Sequence, residues 1–503
     1  MSTLNRFVSG GLKLGVGQVG IQVSSFAKSI ILARLLTLED FGVAAAFATT
    51  FSILELISSL ASDKLLIQAV DGNELALQST AQLSYVCRGS VNATVLFLLA
   101  GPVSRLFGIP GAIWGFRCLA LLPLLRGFVH LDPYRLQREM RFGPSVAVDL
   151  GSNLFATAVA FPVAAWLRNY TAMLWILILQ AAMFSLISHI VAERRYSWHW
   201  DKRYAKRLFT FGWPLAINGL LLYGIMEGDR VIVGSAKQLF GNTKYTLADL
   251  GLYSVAFSLT MAPTMFVANL GTSLFLPILA RAREGGASFL RNYAHCFNGV
   301  CLAASIISIP MIFAGGHVVT LVYGRKYAAA AGLIGWLAAM WAVRMIRVAP
   351  TLGAMASSDT KAAMVSNMFR SLAIIGMLAA AATGAALQWI AISGFCGELL
   401  ALAALIWRGH RLHGMSVGLC ARPLLVTAAG MVTTAEIVVL SAGRLGLLAA
   451  VCGGLVLGAL TATAMVSAVP ELRLNLLRLV KAAAAAAMSV RWPGTRRRAS
   501  EAC

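Results

Sequence analysis

Residues 39–49, EDFGVAAAFAT, recur later in the chain as ADLGLYSVAFS at residues 248–258. Each copy stands at the beginning of a long apolar run. A second pair, GPVSRLFGIPGA (101–112) and GGHVVTLVYGRKYAAA (315–330), is separated by a similar offset, about 210–215 residues, which corresponds to six predicted helices. Parallel repeats of this size predict two six-helix lobes that face each other across a central cavity.

Composition places the chain in a membrane. Of its 503 residues, 58% are hydrophobic and only 12% are charged, whereas soluble globular chains carry about 25% charged residues. A bilayer span needs about 20 apolar residues, and the apolar runs here are too long and too uniform for membrane strands. We therefore predict an all-α polytopic membrane protein with about 14 transmembrane helices (12 to 14). The predicted spans are 12–33, 41–62, 80–101, 112–130, 145–165, 171–191, 209–230, 250–270, 293–314, 329–350, 362–384, 387–407, 423–441 and 445–467.

These spans suggest five regions. We expect an N-terminal six-helix lobe over residues 1–192, a basic cytoplasmic linker over 193–208 and a C-terminal six-helix lobe over 209–421. Two additional transmembrane helices follow over 422–468, and a basic cytoplasmic tail over 469–503. No short apolar region ends in a cleavage site near the N-terminus, so we expect the first helix to be retained.

The charge balance indicates orientation in the membrane. The chain has 42 Lys and Arg against 20 Asp and Glu, a net charge of +22. With the N-terminus inside, 26 of the basic residues fall in predicted cytoplasmic segments and 8 in external loops. This bias follows the positive-inside rule and predicts cytoplasmic N- and C-termini. The basic excess thus reflects topology and an anionic leaflet, and we expect membrane lipids, not nucleic acid, as partners.

The remaining eight basic residues lie within predicted spans: Lys28, Arg88, Arg117, Arg126, Arg230, Arg344, Arg347 and Arg370. Each costs about 2.5–3.5 kcal/mol at mid-bilayer on an insertion scale. Arg126 and Arg370 are candidates for snorkelling to an interface, but eight such residues favour a polar cavity between helices.

Two of these cations form the strongest candidate for an anion site. Arg344 and Arg347 lie one helical turn apart with no acid nearby in sequence. Guanidinium groups bind phosphate oxygens bidentately, so a diphosphate would suit them. Lys28 and Arg88 are further candidates for binding an anionic head group. The alternative is that Arg344 and Arg347 snorkel to an interface.

Helical spacing gathers other polar residues into stripes. The predicted cavity-lining residues are Gln18, Gln22, Ser25, Ser29, Ser52, Ser59, Tyr223 and Trp336. Glu55 and Glu227, together with Arg230, are candidates for gating or coupling, whereas Asp229 is interpreted as a structural cap where the span 209–230 ends. Such stripes also mediate helix packing, and Glu227–Arg230 is equally compatible with a local ion pair.

The sequence gives little support for nucleotide binding, metal binding or catalysis. GVGQVG (15–20) follows no strand and lies inside a predicted span, so it does not indicate a nucleotide fold. The eight cysteines fall mostly in apolar runs without CxxC spacing and are interpreted as core residues. HExxH, GxSxG and Walker sequences are absent. We predict no catalytic residue, no cofactor and no metal site.

Several motifs in order resemble a known family. LARLLTLEDFGVAAA (32–46), RLQREMRFGPSVAVDL (135–150), GDRVIVGS with LGLYSVAFSLTMAP (228–263) and LFLPILARAREG (274–285) resemble the polysaccharide-exporter branch of the MOP superfamily, the Wzx-like oligosaccharide flippases. The resemblance covers about residues 20–410. After the second helix, SLASDKLLIQ (59–68) departs from the Gly-rich turn usual in the family.

The resemblance implies two lobes around a V-shaped cavity, alternating access, and flipping of undecaprenyl-pyrophosphate-linked oligosaccharides across the bacterial inner membrane. It implies a lipid-linked oligosaccharide as substrate, serving exopolysaccharide, capsule or O-antigen assembly, with the polysaccharide polymerase and export machinery as candidate partners. A multidrug or cation exporter of the related branch stays open as an alternative, as does a membrane-embedded polysaccharide polymerase. Acids should line a cation exporter, and a polymerase should have a large external loop.

Overall fold

The computed structural model describes residues 3–58, 62–69, 71–283, 286–359, 361–441, 445–470 and 472–473. Within these ranges all regular secondary structure is helical and there is no strand, which confirms the predicted all-α class. The helices are α1 Thr3–Leu35, α2 Leu38–Ser58, α3 Ser62–Gln68, α4 Leu75–Leu106, α5 Ile113–Leu119, α6 Leu121–Gly127, α7 Asp132–Arg138, α8 Gly143–Leu167, α9 Thr171–Ile190, α10 Lys202–Phe240, α11 Leu247–Arg281, α12 Ala287–Tyr323, α13 Ala331–Ile346, α14 Val348–Ala356, α15 Lys361–Ser371, α16 Ala373–Thr383, α17 Gln388–His413, α18 Val417–Ser441 and α19 Leu447–Ala468. Two 3₁₀ turns, Pro110–Ala112 and Arg325–Ala330, lie between these helices.

Helix length and hydropathy confirm a polytopic membrane protein. In the described ranges, eleven helical stretches are long and apolar enough to cross a membrane, or twelve if the bent pair Pro110–Gly127 and Asp132–Arg138 forms one span. Each of the fourteen predicted spans falls on a helix or on two consecutive helices. The helices α2 and α10 account for the two predicted spans beyond these twelve.

The helices pack as two groups that meet along α2, α10 and α11. In the first half of the chain, α8 packs on α1 and α9, while α4 packs on α5 and α6. In the second half, α12 packs on α13, and α17 packs on α13 and α15. The last two helices, α18 and α19, both lie against α12. The helices α10 and α11 of the second lobe contact α2 of the first, so the space between the lobes is bordered by these three elements.

The internal repeat is visible where α2 and α11 begin. Thr37 Oγ1 donates to Asp40 Oδ2 at 2.6 Å and accepts from the Asp40 amide at 3.1 Å. Thr246 and Asp249 make the same pair of contacts at 2.7 and 3.3 Å, in a full capping box. Such caps satisfy amide groups that have no partner in the first helical turn. The same sequence signal therefore starts the same helix in both lobes.

Two glycines, one in each repeat, bring these helices into backbone contact. A Cβ at Gly42 would lie 1.9 Å from the carbonyl oxygen of Leu247, and one at Gly251 would lie 2.4 Å from that of Leu38. The two contacts exchange under one shift of 209 residues, so they are related by the repeat. Any larger residue would force the lobes apart here, because no Cβ can approach a carbonyl oxygen so closely.

Two cations lock the lobes together beside this contact. Arg34 donates from Nη2 to the carbonyl of Leu321 at 2.6 Å and from Nε to that of Val322 at 2.8 Å. In return, Lys326 donates to the carbonyls of Arg34 and Leu36. Each cation thus binds carbonyls at the C-terminus of the other lobe's helix, where partial negative charge accumulates. We call residues 34–42, 245–251 and 321–327 the closed end of the bundle.

Candidate functional site

A cavity with cationic and hydroxyl groups in a mostly apolar lining lies between the lobes, next to the closed end. It has a volume of about 200 Å³ and is bordered by α1, α2, α9, α10 and α11. Its polar lining residues are Ser25, Lys28, Ser29, Arg230, Ser254 and Ser258. Both charged side chains in this lining are cations, and the remaining polar groups are hydroxyls. We call this space the interlobe cavity; its chemistry suits an anion that accepts hydrogen bonds.

Lys28 is held in position by a network of amides. Its ammonium donates to Gln180 Oε1 on α9 at 2.7 Å. The Gln180 amide donates in turn to Asn153 Oδ1 on α8 at 3.2 Å, and Ser25 Oγ donates to the same oxygen at 3.1 Å. None of these partners carries a negative charge, so no acid among them competes with a ligand in the cavity for Lys28.

Arg230 lines the interlobe cavity on the side of the second lobe. Its guanidinium pairs with Glu227 one turn earlier, and its Cζ lies 4.3 Å from the centre of the Phe257 ring. Glu227 also accepts from Thr49 Oγ1 on α2 at 3.3 Å. Tyr223, one turn further back, donates to the Thr49 carbonyl at 3.2 Å. The predicted Glu227–Arg230 pair therefore exists and also ties α10 to the first lobe.

The role predicted for Asp229 as a helix cap is wrong. The helix α10 continues to Phe240 and ends at Gly241, whose φ of 67° suits glycine. Asp229 therefore lies inside the helix, where its Oδ2 accepts a hydrogen bond from the Tyr253 hydroxyl on α11 at 2.7 Å. The prediction placed the helix end where the apolar run ends. The helix α10 continues beyond that point, although its sequence there is polar.

The two arginines predicted to bind an anion meet a buried acid. Glu398, on α17, is fully buried and pairs with Arg344 at 3.7 Å, Arg347 at 3.3 Å and Arg370 at 2.6 Å. Arg370 is thus 8% exposed and does not snorkel to an interface, since its charge is paired inside the lobe. We call these four residues the arginine cluster. Three guanidinium groups share one carboxylate, which leaves the cluster strongly positive.

A smaller counterpart lies in the first lobe. Glu55 on α2 accepts from Arg88 at 3.5 Å and lies 3.8 Å from Arg126. The Arg88 guanidinium also lies 4.5 Å from the centre of the Tyr85 ring. Glu55 is 29% exposed, so this group is more open to solvent than the arginine cluster. The predicted coupling acid therefore pairs with the predicted anion-binding Arg88.

The other predicted cavity residues are scattered. Ser25 and Ser29 line the interlobe cavity, whereas Gln18 is exposed and Gln22 and Ser52 are half-buried. Trp336 is 40% exposed and its ring centre lies 6.0 Å from that of Phe395. Ser59 lies outside the described residues. Within those residues, no group of three His, Cys, Asp or Glu side chains is placed to hold a metal ion.

Sequence reasoning missed Glu398 and Gln180. Glu398 stands alone in GFCGELL, within an apolar span, and an isolated acid there is costly unless it is paired. The eight cations within the predicted spans were the candidate partners for Glu398. Gln180 carried a weaker signal, a single amide among ILILQAAMF. Both residues contact cations from other helices, and only the fold could identify which.

An all-helical bundle of two lobes around a cavity that contains two cations is the fold of the MOP superfamily. Over 90% of this chain and 97% of the other, the fold matches a lipid II flippase, MurJ, in an inward closed conformation, with a TM-score of 0.71 and 11% identity. An inward-facing multidrug resistance MATE transporter of the MOP superfamily matches over 80% of this chain and 98% of its own, with a TM-score of 0.62 and 11% identity.

The chain belongs to the polysaccharide biosynthesis protein family, whose model matches residues 31–332. The teichuronic acid biosynthesis protein TuaB of Bacillus subtilis (strain 168) is 20% identical over 352 residues, covering 69% of this chain and 70% of that protein. These matches confirm the predicted membership in the polysaccharide-exporter branch. The chain is a multi-pass membrane protein of this family.

Proposed function

We propose that this protein flips undecaprenyl-pyrophosphate-linked oligosaccharide repeat units across the bacterial inner membrane by alternating access. The observation that carries the proposal is the interlobe cavity, whose two charged lining groups, Lys28 and Arg230, are both cations. A pyrophosphate linkage is the anionic part of such a substrate, and cations with hydroxyl donors are its natural ligands. Membership in the polysaccharide biosynthesis family supports the saccharide as cargo.

The cavity volume limits what this conformation holds. About 200 Å³ is below the roughly 300–1,000 Å³ of typical small-molecule sites. A phosphate group fits, whereas an oligosaccharide needs the lobes to separate. We therefore assign this conformation to a stage at which the sugar is not enclosed, and the closed end to the periplasmic side. That orientation follows from the excess of Lys and Arg in the loops at the opposite end.

Within this scheme Lys28 and Arg230 bind the pyrophosphate from opposite lobes. A bound anion competes with Glu227 for Arg230, and Glu227 also holds Thr49 of the first lobe. Substrate binding would thereby weaken one interlobe contact, which gives Glu227 and Arg230 the gating role. Arg344, Arg347 and Arg88, each already paired with an acid, would act later on the path or stabilise the lobes.

The multidrug-exporter alternative is disfavoured by the same lining. A cationic drug would meet Lys28 and Arg230, and like charges in a confined site repel. The MATE likeness concerns the fold alone at 11% identity. A cation exporter would require acids where this cavity carries serines and cations.

The test is a gene deletion complemented with variants. We expect deletion to abolish surface polysaccharide and to accumulate lipid-linked repeat units in the inner leaflet. Wild type should restore the polymer, and Lys28→Gln with Arg230→Gln should restore at most about one tenth of it, because both charge-assisted contacts to the anion are lost. The exposed Lys237→Gln is the matched control and should behave as wild type. Normal polymer in the double variant at normal membrane levels contradicts the assigned site; drug sensitivity with intact polymer contradicts the function.

A further inference from the structure

Arg117 differs from the other cations within the predicted spans because it has no polar partner among the described residues. The other seven each contact a carboxylate or an amide oxygen: Lys28, Arg88, Arg126, Arg230, Arg344, Arg347 and Arg370. Arg117 is exposed, and its Cζ lies 5.4 Å from the centre of the Phe97 ring. A charged side chain on a membrane span is costly unless a counter-charge meets it. Arg117 is thus free to bind an anion from its surroundings.

Arg117 lines a groove on the outer face of the first lobe. The groove lies between α4 and the pair α5 and α6, and its volume is about 550 Å³. Its lining is mostly apolar, it includes no acid, and Arg117 is its single cation. Along α4 the lining extends from Ser90 to Leu98, about 12 Å at 1.5 Å per residue. We call this space the α4–α6 groove. It offers a long apolar wall with one positive charge at one end.

The charged end of the α4–α6 groove lies near the membrane surface at the closed end. Asp40, in the closed end, accepts a hydrogen bond from the Tyr170 amide at 2.9 Å, and the Trp114 ring centre lies 6.4 Å from that of Tyr170. Trp114 is 43% exposed, and exposed tryptophans are typical of the membrane–water interface. Arg117 follows nearly one turn deeper on α5, about 4.5 Å at 1.5 Å per residue. A long cationic side chain at this depth reaches the lipid phosphates.

We propose that the α4–α6 groove binds one phospholipid of net negative charge from the leaflet at the closed end. Its phosphodiester pairs with Arg117, and one acyl chain lies along the apolar wall. A guanidinium group binds phosphate oxygens through two parallel N–H donors. A single phosphodiester carries one negative charge, which matches the single cation of the groove. Zwitterionic phospholipids carry an additional ammonium group, for which the lining provides no acid.

The lining distinguishes this ligand from the transported substrate. The hydroxyls of the groove belong to Ser90 and Thr94, and Thr94 Oγ1 already donates to the Ser90 carbonyl at 3.0 Å. An oligosaccharide would therefore find few hydrogen-bond partners here. The α4–α6 groove shares no lining residue with the interlobe cavity, so the proposed lipid site is separate from the proposed function. Its ligand is a lipid that stays bound to the outside of the first lobe.

The test measures lipid binding to the purified, delipidated full-length protein by native mass spectrometry. The protein is titrated with phosphatidylglycerol and, separately, with phosphatidylethanolamine of the same acyl chains. We expect wild type to bind one phosphatidylglycerol about tenfold more tightly than phosphatidylethanolamine, because the charge-assisted contact to Arg117 is not opposed by an ammonium group. Equal affinity for the two lipids overturns the proposal. Tighter binding of undecaprenyl phosphate than of phosphatidylglycerol also overturns it, and would assign the groove to the carrier lipid.

Two variants separate a site in the groove from lipid bound anywhere on the surface. Arg117→Gln removes the charge, and Thr94→Phe keeps the charge but fills the groove. Both side chains are exposed, so both variants should melt close to wild type before lipid is added. Each should bind phosphatidylglycerol about tenfold more weakly, whereas Arg105→Gln, an exposed cation of α4 outside the groove, should bind it as wild type does. Wild-type affinity in Thr94→Phe or in Arg117→Gln contradicts the assigned site.

Discussion

At the scale of single residues, the most consequential side chain is Glu398. Glu398→Gln keeps the shape but leaves three buried guanidinium groups without their carboxylate. Removing one partner from a buried ion pair costs about 3–5 kcal/mol, since the remaining charge is desolvated and unpaired. We expect a markedly lower melting temperature in detergent, or loss of the folded protein from the membrane, measured by fluorescence-detected size exclusion.

The first lobe supplies the matched control. Glu55→Gln also removes one acid from between two arginines, but Glu55 is 29% exposed and its ion pairs are 3.5 and 3.8 Å long. Partly hydrated ion pairs contribute little to stability. The melting temperature of Glu55→Gln should therefore fall much less than that of Glu398→Gln. Equal losses for the two variants would mean that burial does not decide the effect, and that the arginine cluster is no tighter than its counterpart.

At the residue scale, the sequence identifies the charged residues inside the spans but not the residues that they contact. The cost of a cation inside a membrane span is enough to single out Lys28, Arg230 and Arg344 from the sequence alone. It does not reveal that Lys28 contacts Gln180, 152 residues away, or that Arg344 contacts Glu398. Local spacing identifies residues on one helix face, whereas both contacts depend on how separate helices pack.

At the scale of elements, one acid ties the loop between α14 and α15 to the C-terminal end of α17. Asp359, between α14 and α15, accepts two hydrogen bonds from Arg408 at 2.8 and 2.9 Å and lies 3.1 Å from His413 Nε2. The hydrogen bond from Arg408 is the main reason that the pKa of Asp359 falls from 3.8 to about 2. A depressed carboxyl pKa contributes stability above the unfolded value, and that stability is lost as the pH falls towards 2.

The pH dependence of an Asp359→Asn variant checks this. In a His413→Gln background, which removes the imidazole in contact with Asp359, the variant should melt several degrees below its parent. The gap should stay constant from about pH 8 to pH 5 and narrow only below about pH 4, as the parent's carboxyl becomes protonated. Lys361→Gln, an exposed change two residues away, should leave the melting temperature unaltered. A gap that narrows near neutral pH would show that another group controls the contact.

At the scale of elements, the sequence predicts where helices lie better than it predicts where they end. Hydropathy located all fourteen helical regions, because a bilayer demands long apolar runs whatever their neighbours are. It ended α10 at Arg230, ten residues early. The better signal was present in sequence: Lys237 followed by Gly241, a basic last turn and a left-handed glycine that together typify a helix C-terminus. Polar composition marks the end of the membrane, not of the helix.

At the scale of the whole molecule, the repeat explains the closed end. The shift of 209 residues relates both the caps of α2 and α11 and the two glycine contacts, so a single pseudo-twofold relation places the lobes. Sequence predicted the repeat but not its consequence, since alignment does not say which copies touch. The helices are in backbone contact at the closed end. Opening this end must therefore break the interlobe hydrogen bonds of Arg34 and Lys326 together.

Arg34→Gln with Lys326→Gln should therefore shift the protein towards a conformation open at this end. Each cation binds carbonyls of the opposite lobe, and glutamine supplies neither the reach nor the charge that favours helix C-termini. A cysteine introduced at Ser258 in the interlobe cavity should react severalfold faster with a membrane-impermeant maleimide added to intact cells. Lys237→Gln, an exposed cation change on α10, should leave the rate unaltered.

Unchanged labelling in the double variant would mean that the glycine contacts alone hold the closed end shut. Gly42→Ala, which places a methyl group against the Leu247 carbonyl, would then be the change that opens it.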